Sequence, residues 1–491
     1  MTEQRSNRGK LATVLCLLIL AGCAVGPDYH RSTPTAVPAQ WKASPPWKEG
    51  QPQDAAIKQK FWEIFDDPVL TELEQQATTN SPDVAAAFER VEQARAAARI
   101  TRANLMPGLS FDPNGNRTRY SPSRTAQPGT ALAGYTGNEF FLPLDLSYEV
   151  DLWGRVRRSF RAAREQAQAS AAAYQNVLLS LQAGVAQTYF AIRFIDLDRR
   201  VLTETIDLRQ KNLDLVNSLH RGGADSAVDV AQAETELASA EADLVGLKLQ
   251  RAQLENALAV LCGQSASGFS LAETTRQYQP PAVPVGLPAD LLERRPDVAE
   301  AERSLAAASE GIGIAKAAYF PAIQLTGTAG TESVALKDVF NWENRMWSIG
   351  PNVSLPLFAG GRNRAGVQQA QAAYREAMAE YRSQILVAFR DVENGLVGLG
   401  LLHEQFAAQT RAVEAARKSA ALSRLRYQEG LASYFEVVQA DRTALETELS
   451  AHDLNGQRMA TTVFLIKALG GGWQADTATA APRPGPVQNT K

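Results

Sequence analysis

Leu142-Pro143-Leu144-Asp145-Leu146-Ser147-Tyr148-Glu149-Val150-Asp151 is the stretch that decides the predicted fold. Apolar residues occupy its even-numbered positions, and proline or polar residues occupy the odd ones. Successive side chains of a strand point to opposite faces, so this period of two predicts a β-strand with one apolar and one polar face. The alternation around Leu109 and Phe111 begins a partner strand.

The same pattern returns in the second half of the chain, around residues 323–326 and 347–357. Each half therefore contributes one hairpin, at about 107–150 and about 321–357, which gives four strands. Strands that cross a membrane need about 9–11 residues with this alternation. Four strands cannot close a barrel, and an open edge is not viable in lipid, so several chains would have to share one barrel. A soluble hairpin with one face packed on a helix is the alternative.

The two hairpins belong to an internal duplication. Ser81-Pro82-Asp83-Val84 returns as Arg295-Pro296-Asp297-Val298 at a register of 214 residues (296 − 82), and Gly154-Arg155 returns as Gly361-Arg362 at 207 (361 − 154). Repeat 1 is predicted to span residues 68–263 and repeat 2 residues 291–470, each with its hairpin. Two long copies do not make a solenoid, which needs at least three repeats, so the duplication predicts pseudo-symmetric halves of one body.

Long helical patterns surround each hairpin. After the Gly-Arg turns, alanine-rich stretches with heptad-like apolar spacing predict helices that pack closely side by side. Each would be about 100 Å long at 1.5 Å per residue, and each ends at a glycine turn, marked by Gly223 and Gly430. A long soluble coiled coil fits the local pattern equally well. The predicted helices are Pro68–Leu105, Arg155–Leu219, Val228–Cys262, Arg362–Gln428 and Phe435–Leu469.

The first 22 residues have the pattern of an export signal, with basic residues before an apolar stretch, Leu11–Leu20, that is too short to span a bilayer. The signal ends in Leu20-Ala21-Gly22-Cys23, which resembles a bacterial lipoprotein box. This resemblance implies acylation of Cys23 and, because residue 24 is alanine, sorting to the outer membrane. A chance cysteine after an ordinary signal is the alternative.

Three further segments lack helical periodicity. Residues 23–67 and 264–290 are rich in proline, which forbids long helices, and they are predicted to form an extended strap and a linker. Residues 471–491 have no periodicity, and this composition predicts a disordered tail.

Composition and motifs exclude several classes of function. The formal net charge is −3 with both signs mixed along the chain, so nothing suggests binding to nucleic acid. The four histidines are scattered without the spacing of metal ligands. Gly311-Ile312-Gly313 lies inside a helical pattern, which predicts close helix packing and not a nucleotide loop. We therefore expect no enzyme, and no cofactor beyond the covalent lipid on Cys23.

Taken in order, these segments resemble the outer membrane factors, and more narrowly the NodT-type efflux lipoproteins related to TolC. The resemblance covers the chain from Cys23 to Gly470. The residues that carry it are Cys23-Ala24-Val25-Gly26-Pro27-Asp28-Tyr29, Phe61-Trp62, Phe65-Asp66-Asp67-Pro68, Arg295-Pro296-Asp297 and the duplicated glycine turns.

The resemblance implies a mainly helical fold with β-strands. In the family, a homotrimer forms one twelve-stranded β-barrel and an α-helical periplasmic tunnel, which is belted at its equator by the strap and linker. It implies a passive exit duct for small compounds such as antibiotics. The partners would be outer-membrane lipid, a periplasmic adaptor and an inner-membrane RND pump of a Gram-negative bacterium. A duct for type I protein secretion and a lipid-anchored structural protein without a pore are the alternatives.

The family also has a periplasmic gate at the helix turns. By resemblance, Tyr427 matches a gate tyrosine that hydrogen-bonds to an acid of the first half, here Asp229. Phe435 matches a constricting apolar residue, and Glu436 matches an acid of a charged ring. Such a ring would favour cations. Alternatively, Asp229 and Glu436 only begin helices, where acids suit the helix dipole.

The chain departs from the family pattern at two gate positions. Ala432 stands where some members have an arginine, and Gln439 stands where many have a second acid. The resemblance therefore implies that an arginine lock is absent and that the acid ring depends on Glu436 alone.

Overall fold

The computed structural model describes residues 24–30, 41, 48–49, 60–121, 134, 136–285 and 295–471. The predicted signal 1–22, the acylation site Cys23 and the tail after residue 471 lie outside the described residues. The structure divides into two units. One comprises residues 1–32, 92–169 and 302–380, and the other comprises residues 33–91, 170–301 and 381–491.

The helices dominate the described residues. The two longest have 67 residues each and begin at the predicted Arg155 and Arg362. The two returning helices have 35 residues each and begin one residue earlier than predicted. In chain order the helices are α1 (Pro68–Asn80), α2 (Pro82–Ala103), α3 (Arg155–Arg221), α4 (Ala227–Leu261), α5 (Pro296–Ala317), α6 (Arg362–Gln428) and α7 (Tyr434–Ala468).

The prediction of one helix over Pro68–Leu105 was wrong, because the chain breaks at Ser81 into α1 and α2. Ser81 has an extended backbone, with φ −64° and ψ 122°. The ring of Pro82 disfavours helical backbone in the residue before it, and proline is well suited to the first position of a new helix. In the second repeat, Arg295 likewise directly precedes a proline, Pro296, at which α5 begins.

The duplication is visible residue by residue. The start and end of α3 and of α4 recur in α6 and α7 with a constant offset of 207 residues (362 − 155, 428 − 221, 434 − 227 and 468 − 261). Gly263 and Gly470, also 207 apart, both have positive φ, at 67° and 90°. The predicted register of the second part of the repeat is therefore confirmed.

The strands of the described residues form two sheets. A short parallel pair joins the strap to the linker, with Lys48 opposite Pro284. The strands are β1 (Lys48–Glu49), β2 (Gly108–Phe111), β3 (Asn114–Arg119), β4 (Thr136–Glu149), β5 (Pro284–Val285), β6 (Ala322–Ser333) and β7 (Arg345–Ser354). The larger sheet is antiparallel, in the order β2-β4-β6-β7, with β3 also paired to β4.

Strands β2 and β3 are two parts of one strand. Phe111 pairs with Leu144 and Asn114 with Phe141, which is the same register, so Asp112 and Pro113 fall between two segments that both follow β4. Proline has no backbone N–H to donate, and in this register Pro143 lies opposite the interruption. The four predicted strands are thus present, with the first interrupted at a proline.

The larger sheet has one apolar and one polar face, as predicted. Two apolar rows cross all four strands, namely Leu109, Leu146, Gly327, Ile349 and Phe111, Leu144, Ala329, Trp347. On the other face, the Thr328 hydroxyl donates to the Asp145 carboxylate at 2.5 Å. The apolar face is open, since Trp347 is 75% exposed and Phe111 56% exposed. A soluble hairpin with this face packed on a helix therefore does not describe the sheet.

Within the described ranges, none of the helices combines the length and the apolar character needed to cross a bilayer.

The strap and linker are tied to α3 by a buried carboxylate. Asp67 caps α1 by accepting from the backbone N–H of Val69, at 2.9 Å. The same carboxylate accepts hydrogen bonds from the hydroxyls of Tyr189 on α3, at 2.7 Å, and Tyr278 in the linker, at 2.8 Å. These hydrogen bonds outweigh the effect of burial and lower the pKa of Asp67.

Candidate functional site

Each long helix ends at a glycine turn. Gly223 and Gly430 have φ of 79° and 73°, the left-handed region that glycine adopts without strain. Backbone N–H groups just after each helix donate hydrogen bonds to carbonyls in its last turn. Examples are Ala224 N–H to Leu219 O at 2.9 Å and Leu431 N–H to Arg426 O at 2.8 Å. Both predicted turn glycines therefore have the expected backbone role.

Asp229 has a capping role in the first turn. Its carboxylate accepts from the backbone N–H of Ser226 at 3.1 Å and from the Ser226 hydroxyl at 2.7 Å. The Ser226 oxygen in turn accepts from the Asp229 N–H, which completes a capping box at the start of α4. The prediction that Asp229 is the partner of Tyr427 was wrong, because its carboxylate is committed to this helix start.

The partner of Tyr427 is Asp225. The Tyr427 hydroxyl donates to the Asp225 carboxylate at 2.5 Å, which joins the end of α6 to the turn between α3 and α4. The backbone carbonyl of Asp225 is 2.9 Å from Nδ1 of His220. Burial, followed by the Asp225 carboxylate, raises the pKa of Tyr427. The hydroxyl therefore keeps its proton and remains a donor.

Apolar residues from both helix pairs pack directly behind this hydrogen bond. The rings of Tyr427 and Tyr434 lie 5.6 Å apart between centroids. Tyr434 is buried with residues of α3, α4 and α7, and burial raises its pKa to about 12. The cluster consists of Val216, Ala233, Tyr434, Val437 and Val438, with Leu213, Val230 and Tyr427 packed against it.

Glu236 links three helices near the same turns. Its carboxylate lies 3.0 Å from Arg209 of α3 and accepts from Arg442 of α7, with Nε at 2.8 Å. Arg209 and Glu236 are buried, whereas the Arg442 side chain is 48% exposed. An arginine contact between the two repeats is therefore present at Arg442, whereas the absence of an arginine lock at the gate stays a prediction. Arg442 lies ten positions after Ala432, the position where some family members have an arginine.

Glu436 is paired with an arginine of its own hairpin. Its carboxylate lies 3.4 Å from Arg426, and both side chains are about half exposed, at 46% and 57%. Ser433, the residue that precedes α7, makes no side-chain capping bond, so Glu436 does not repeat the capping box of Asp229. A second pair, Arg424 and Asp441 at 2.9 Å, joins α6 to α7. The acid expected in the ring is thus partly neutralised by Arg426.

Phe435 borders an open groove between α4 and α7. The groove has a volume of about 470 Å³ and is lined by Ala227, Val228, Ala231, Gln232, Thr235, Glu236, Phe435, Val438, Gln439 and Arg442. Phe435 is 54% exposed and Val228 is 64% exposed. The residue predicted to constrict the passage therefore presents an apolar surface to the outside of this chain.

Sequence reasoning missed Asp225 and the contacts of Glu236. The capping signature Ser226-Ala227-Val228-Asp229 was a local signal that Asp229 is occupied. Arg442 and Glu236 are 206 residues apart, and no local pattern connects them. Among the described residues, no group of three or more His, Cys, Asp or Glu side chains could hold a metal ion.

Comparison with known proteins identifies similar sequences over nearly the whole chain. The model of the outer membrane efflux protein family matches residues 73–264 and 287–471. The solvent efflux pump outer membrane protein SrpC of Pseudomonas putida is 34% identical over 471 residues, covering 94% of this chain and 98% of that protein. The pyoverdine export outer membrane protein OpmQ of Pseudomonas aeruginosa is 33% identical, covering 95% and 97%.

Solved structures show the same fold. The outer-membrane channel OprN superposes with a TM-score of 0.84 at 28% identity, covering 92% of this chain and all of that one. CusC superposes with a TM-score of 0.80 at 30% identity, covering 91% and 100%. The open state of the MtrE channel of Neisseria gonorrhoeae gives 0.79 at 29% identity, covering 93% and 100%.

Proposed function

The chain belongs to the outer membrane efflux protein family, and from that premise we propose that three copies form one gated exit duct. It is a TolC-like outer membrane component of an efflux pump in a Gram-negative bacterium. Family membership alone does not establish the trimer, the gate or the lipid anchor of this chain, and these three features are proposed.

The open apolar sheet is the observation that carries the proposal. Its four antiparallel strands present exposed residues such as Trp347 and Ile349 on one face and polar residues on the other. Lipid would cover the apolar face, and the polar face would line a water-filled passage. The two outer strands, β2–β3 and β7, each need a partner in lipid. Three copies of four strands give the twelve-stranded closed barrel expected from the family.

The helix turns form the gate of this duct. The Tyr427–Asp225 hydrogen bond and the Arg442–Glu236 ion pair both connect α6 or α7 of repeat 2 to the first helix pair. A passage between these helices can widen only if such links break. The exposed Phe435 and the Arg426-paired Glu436 would then face the passage, where the acid favours cations only weakly.

The duct itself would be passive, and its energy and main substrate choice would come from a periplasmic adaptor and an inner-membrane RND pump. The relatives are described as exporting solvents, a pyoverdine and, for CusC of Escherichia coli, cations. Compounds this different share little chemistry, which suits a duct that does not select strongly. Acylation of Cys23 would add a lipid anchor, and we propose small compounds such as antibiotics as the cargo.

Single-channel recording in a planar bilayer tests the proposal. Purified oligomer should give a small conductance that rises when Tyr427→Phe and Arg442→Met are combined. A correctly assembled oligomer that conducts in neither form would favour a structural lipoprotein. In a deletion strain, greater sensitivity to antibiotics with normal secreted proteins would separate efflux from type I secretion.

A further inference from the structure

The described residues closest to the chain start, 24–30, are bound to the unit that contains the large sheet. The Val25 N–H donates to the carbonyl of Trp153, just after β4, at 3.0 Å. Near the other end of the segment, the Tyr29 hydroxyl donates a hydrogen bond to the Glu302 carboxylate of α5 at 2.7 Å. The chain start therefore has defined contacts with both repeats.

Arg158 is the centre of this binding site. It lies on α3 and is only 1% exposed. Its guanidinium donates to the carbonyls of Pro27 at 3.0 Å and Gly26 at 3.3 Å, and to the Asp28 carboxylate at 3.3 Å. The nitrogen that donates to Pro27, Nη1, also forms a 2.8 Å ion pair with Glu310 of α5. A buried arginine needs such partners, and here the segment provides most of them.

Two glycines allow the segment to approach α5 closely. Gly26 has φ 123°, and a Cβ atom built on it would lie 2.5 Å from the Cα of Gly313. No real side chain fits in that space, and the backbone conformation itself favours glycine. This explains the second glycine of Gly311-Ile312-Gly313, since Gly313 is the packing surface for Gly26 and for the Arg158 side chain, whereas a Cβ atom on Gly311 would meet nothing within 4 Å.

The bound segment begins at the foot of the large sheet. Trp153 stacks on Phe320 with ring centroids 4.7 Å apart, and its indole N–H donates to Pro321 O at 2.8 Å. Phe320 and Pro321 directly precede β6. Tryptophan, which combines an apolar ring with one polar N–H, is favoured at the boundary between membrane and water.

We propose that residues 24–30 are a docking peptide and that Arg158, Glu310 and Gly313 form its receptor, so that the acylated chain start is fixed at the foot of the sheet. The placement of the acylated chain start at a membrane rests on the proposed function. Because protein contacts hold the peptide, the acyl chain would enter the bilayer beside the apolar strands of its own protomer. The receptor joins α3 of repeat 1 to α5 of repeat 2, so docking also clamps the two repeats together.

Hydrogen exchange of the peptide that contains Val25, measured on the full-length oligomer in detergent, tests the proposal. The Val25 amide should be protected in the native protein and in Cys23→Ser, which lacks the acyl chain. It should exchange at least tenfold faster in Arg158→Met and in Gly26→Val. Gly26→Val changes only the peptide, so it serves if Arg158→Met does not fold.

Arg161→Met is the matched control, because Arg161 is an exposed arginine on the same helix. Its exchange should equal that of the native protein. Unchanged protection of the Val25 amide in both Arg158→Met and Gly26→Val would overturn the proposal that these residues hold the segment. Loss of protection in Cys23→Ser would also overturn it, because the lipid alone would then hold the segment. Conductance is recorded on the same samples. Native protein that conducts while its Val25 amide is unprotected would refute the docking proposal and would leave the proposed duct function intact.

Discussion

The hydroxyl of Tyr427 donates its hydrogen bond to the carboxylate of Asp225, which lies 202 residues earlier in the chain. This contact connects the turn of one helix pair to the turn of the other, at the end where the proposed duct is closed. The nearby Asp229 makes its hydrogen bonds with Ser226, at the start of α4. The two acids are four positions apart and have separable roles, so substitution can assign the gate to one of them.

Tyr427→Phe and Asp225→Asn should each raise single-channel conductance. Losing a partly exposed hydrogen bond to a carboxylate costs the closed state about 1 kcal/mol, or roughly a fivefold change in the closed-to-open ratio. Asp229→Ala is the control, since losing the capping-box acid in the first turn should lower helix stability by about 0.3–1 kcal/mol without changing conductance. An increase in Asp229→Ala alone would return the gate to the acid named by the family resemblance.

Glu236→Gln and Arg442→Met should differ in their effect on stability. Glu236→Gln leaves the buried Arg209 without its carboxylate, and breaking a buried pair in this way costs about 3–5 kcal/mol. Arg442 is half exposed, so Arg442→Met should leave the melting temperature nearly unchanged while raising conductance. Thermal unfolding followed by circular dichroism measures the first effect. Equal melting temperatures for the two variants would contradict the prediction that Glu236 contributes more to stability than Arg442.

Glu74→Leu should stabilise the protein, and more so at pH 8 than at pH 4. Glu74 on α1 is fully buried, neither carboxylate oxygen has a hydrogen-bond partner, and burial raises its pKa well above the usual value. In the unfolded chain, Glu74 loses its proton as the pH rises through about 4.3. In the folded protein it keeps the proton to higher pH, so the free energy of unfolding falls as the pH rises above that value.

Melting temperatures of the native protein and Glu74→Leu at both pH values check this prediction. Glu72→Leu is the control, because Glu72 lies exposed on the same helix. A difference between Glu74→Leu and the native protein that is the same at pH 4 and pH 8 would show that Glu74 does not change its protonation between the folded and unfolded states.

Leu144→Arg should reduce recovery of the protein in the outer membrane fraction. Leu144 lies in an apolar row of the sheet and is 44% exposed. An arginine facing lipid costs about 2–4 kcal/mol at the bilayer midplane. Ser147→Arg places the same charge on the polar face of the same strand and should insert normally. Equal recovery of the two variants would mean that lipid does not cover the apolar face.

Local patterns were enough to predict most of the fold. The long helices begin at Arg155 and Arg362 as expected because a glycine turn and an uninterrupted heptad-like pattern mark them. The break at Ser81 was missed although Pro82 signals it, since the helical periodicity continues across the proline. The alternation of Leu142 to Val150 predicted both faces of the sheet because side-chain direction in a strand depends only on position.

The site was less predictable because its contacts join distant parts of the chain. Arg442 and Glu236, and likewise Arg158 and Glu310, meet only after the two repeats have packed. One sequence carries no record of such pairs. The choice of Asp229 over Asp225 was different, because the capping box at Ser226 could have decided it from local sequence.

The constant offset of 207 residues between α3–α4 and α6–α7 has a consequence for how the gene can change. Both copies have a 67-residue helix followed by a 35-residue helix. An insertion or deletion in one copy alone would shift its turn relative to the other and separate Tyr427 from Asp225. Length changes should therefore survive in this lineage only as matched events in both copies, so the helices lengthen or shorten together over evolutionary time.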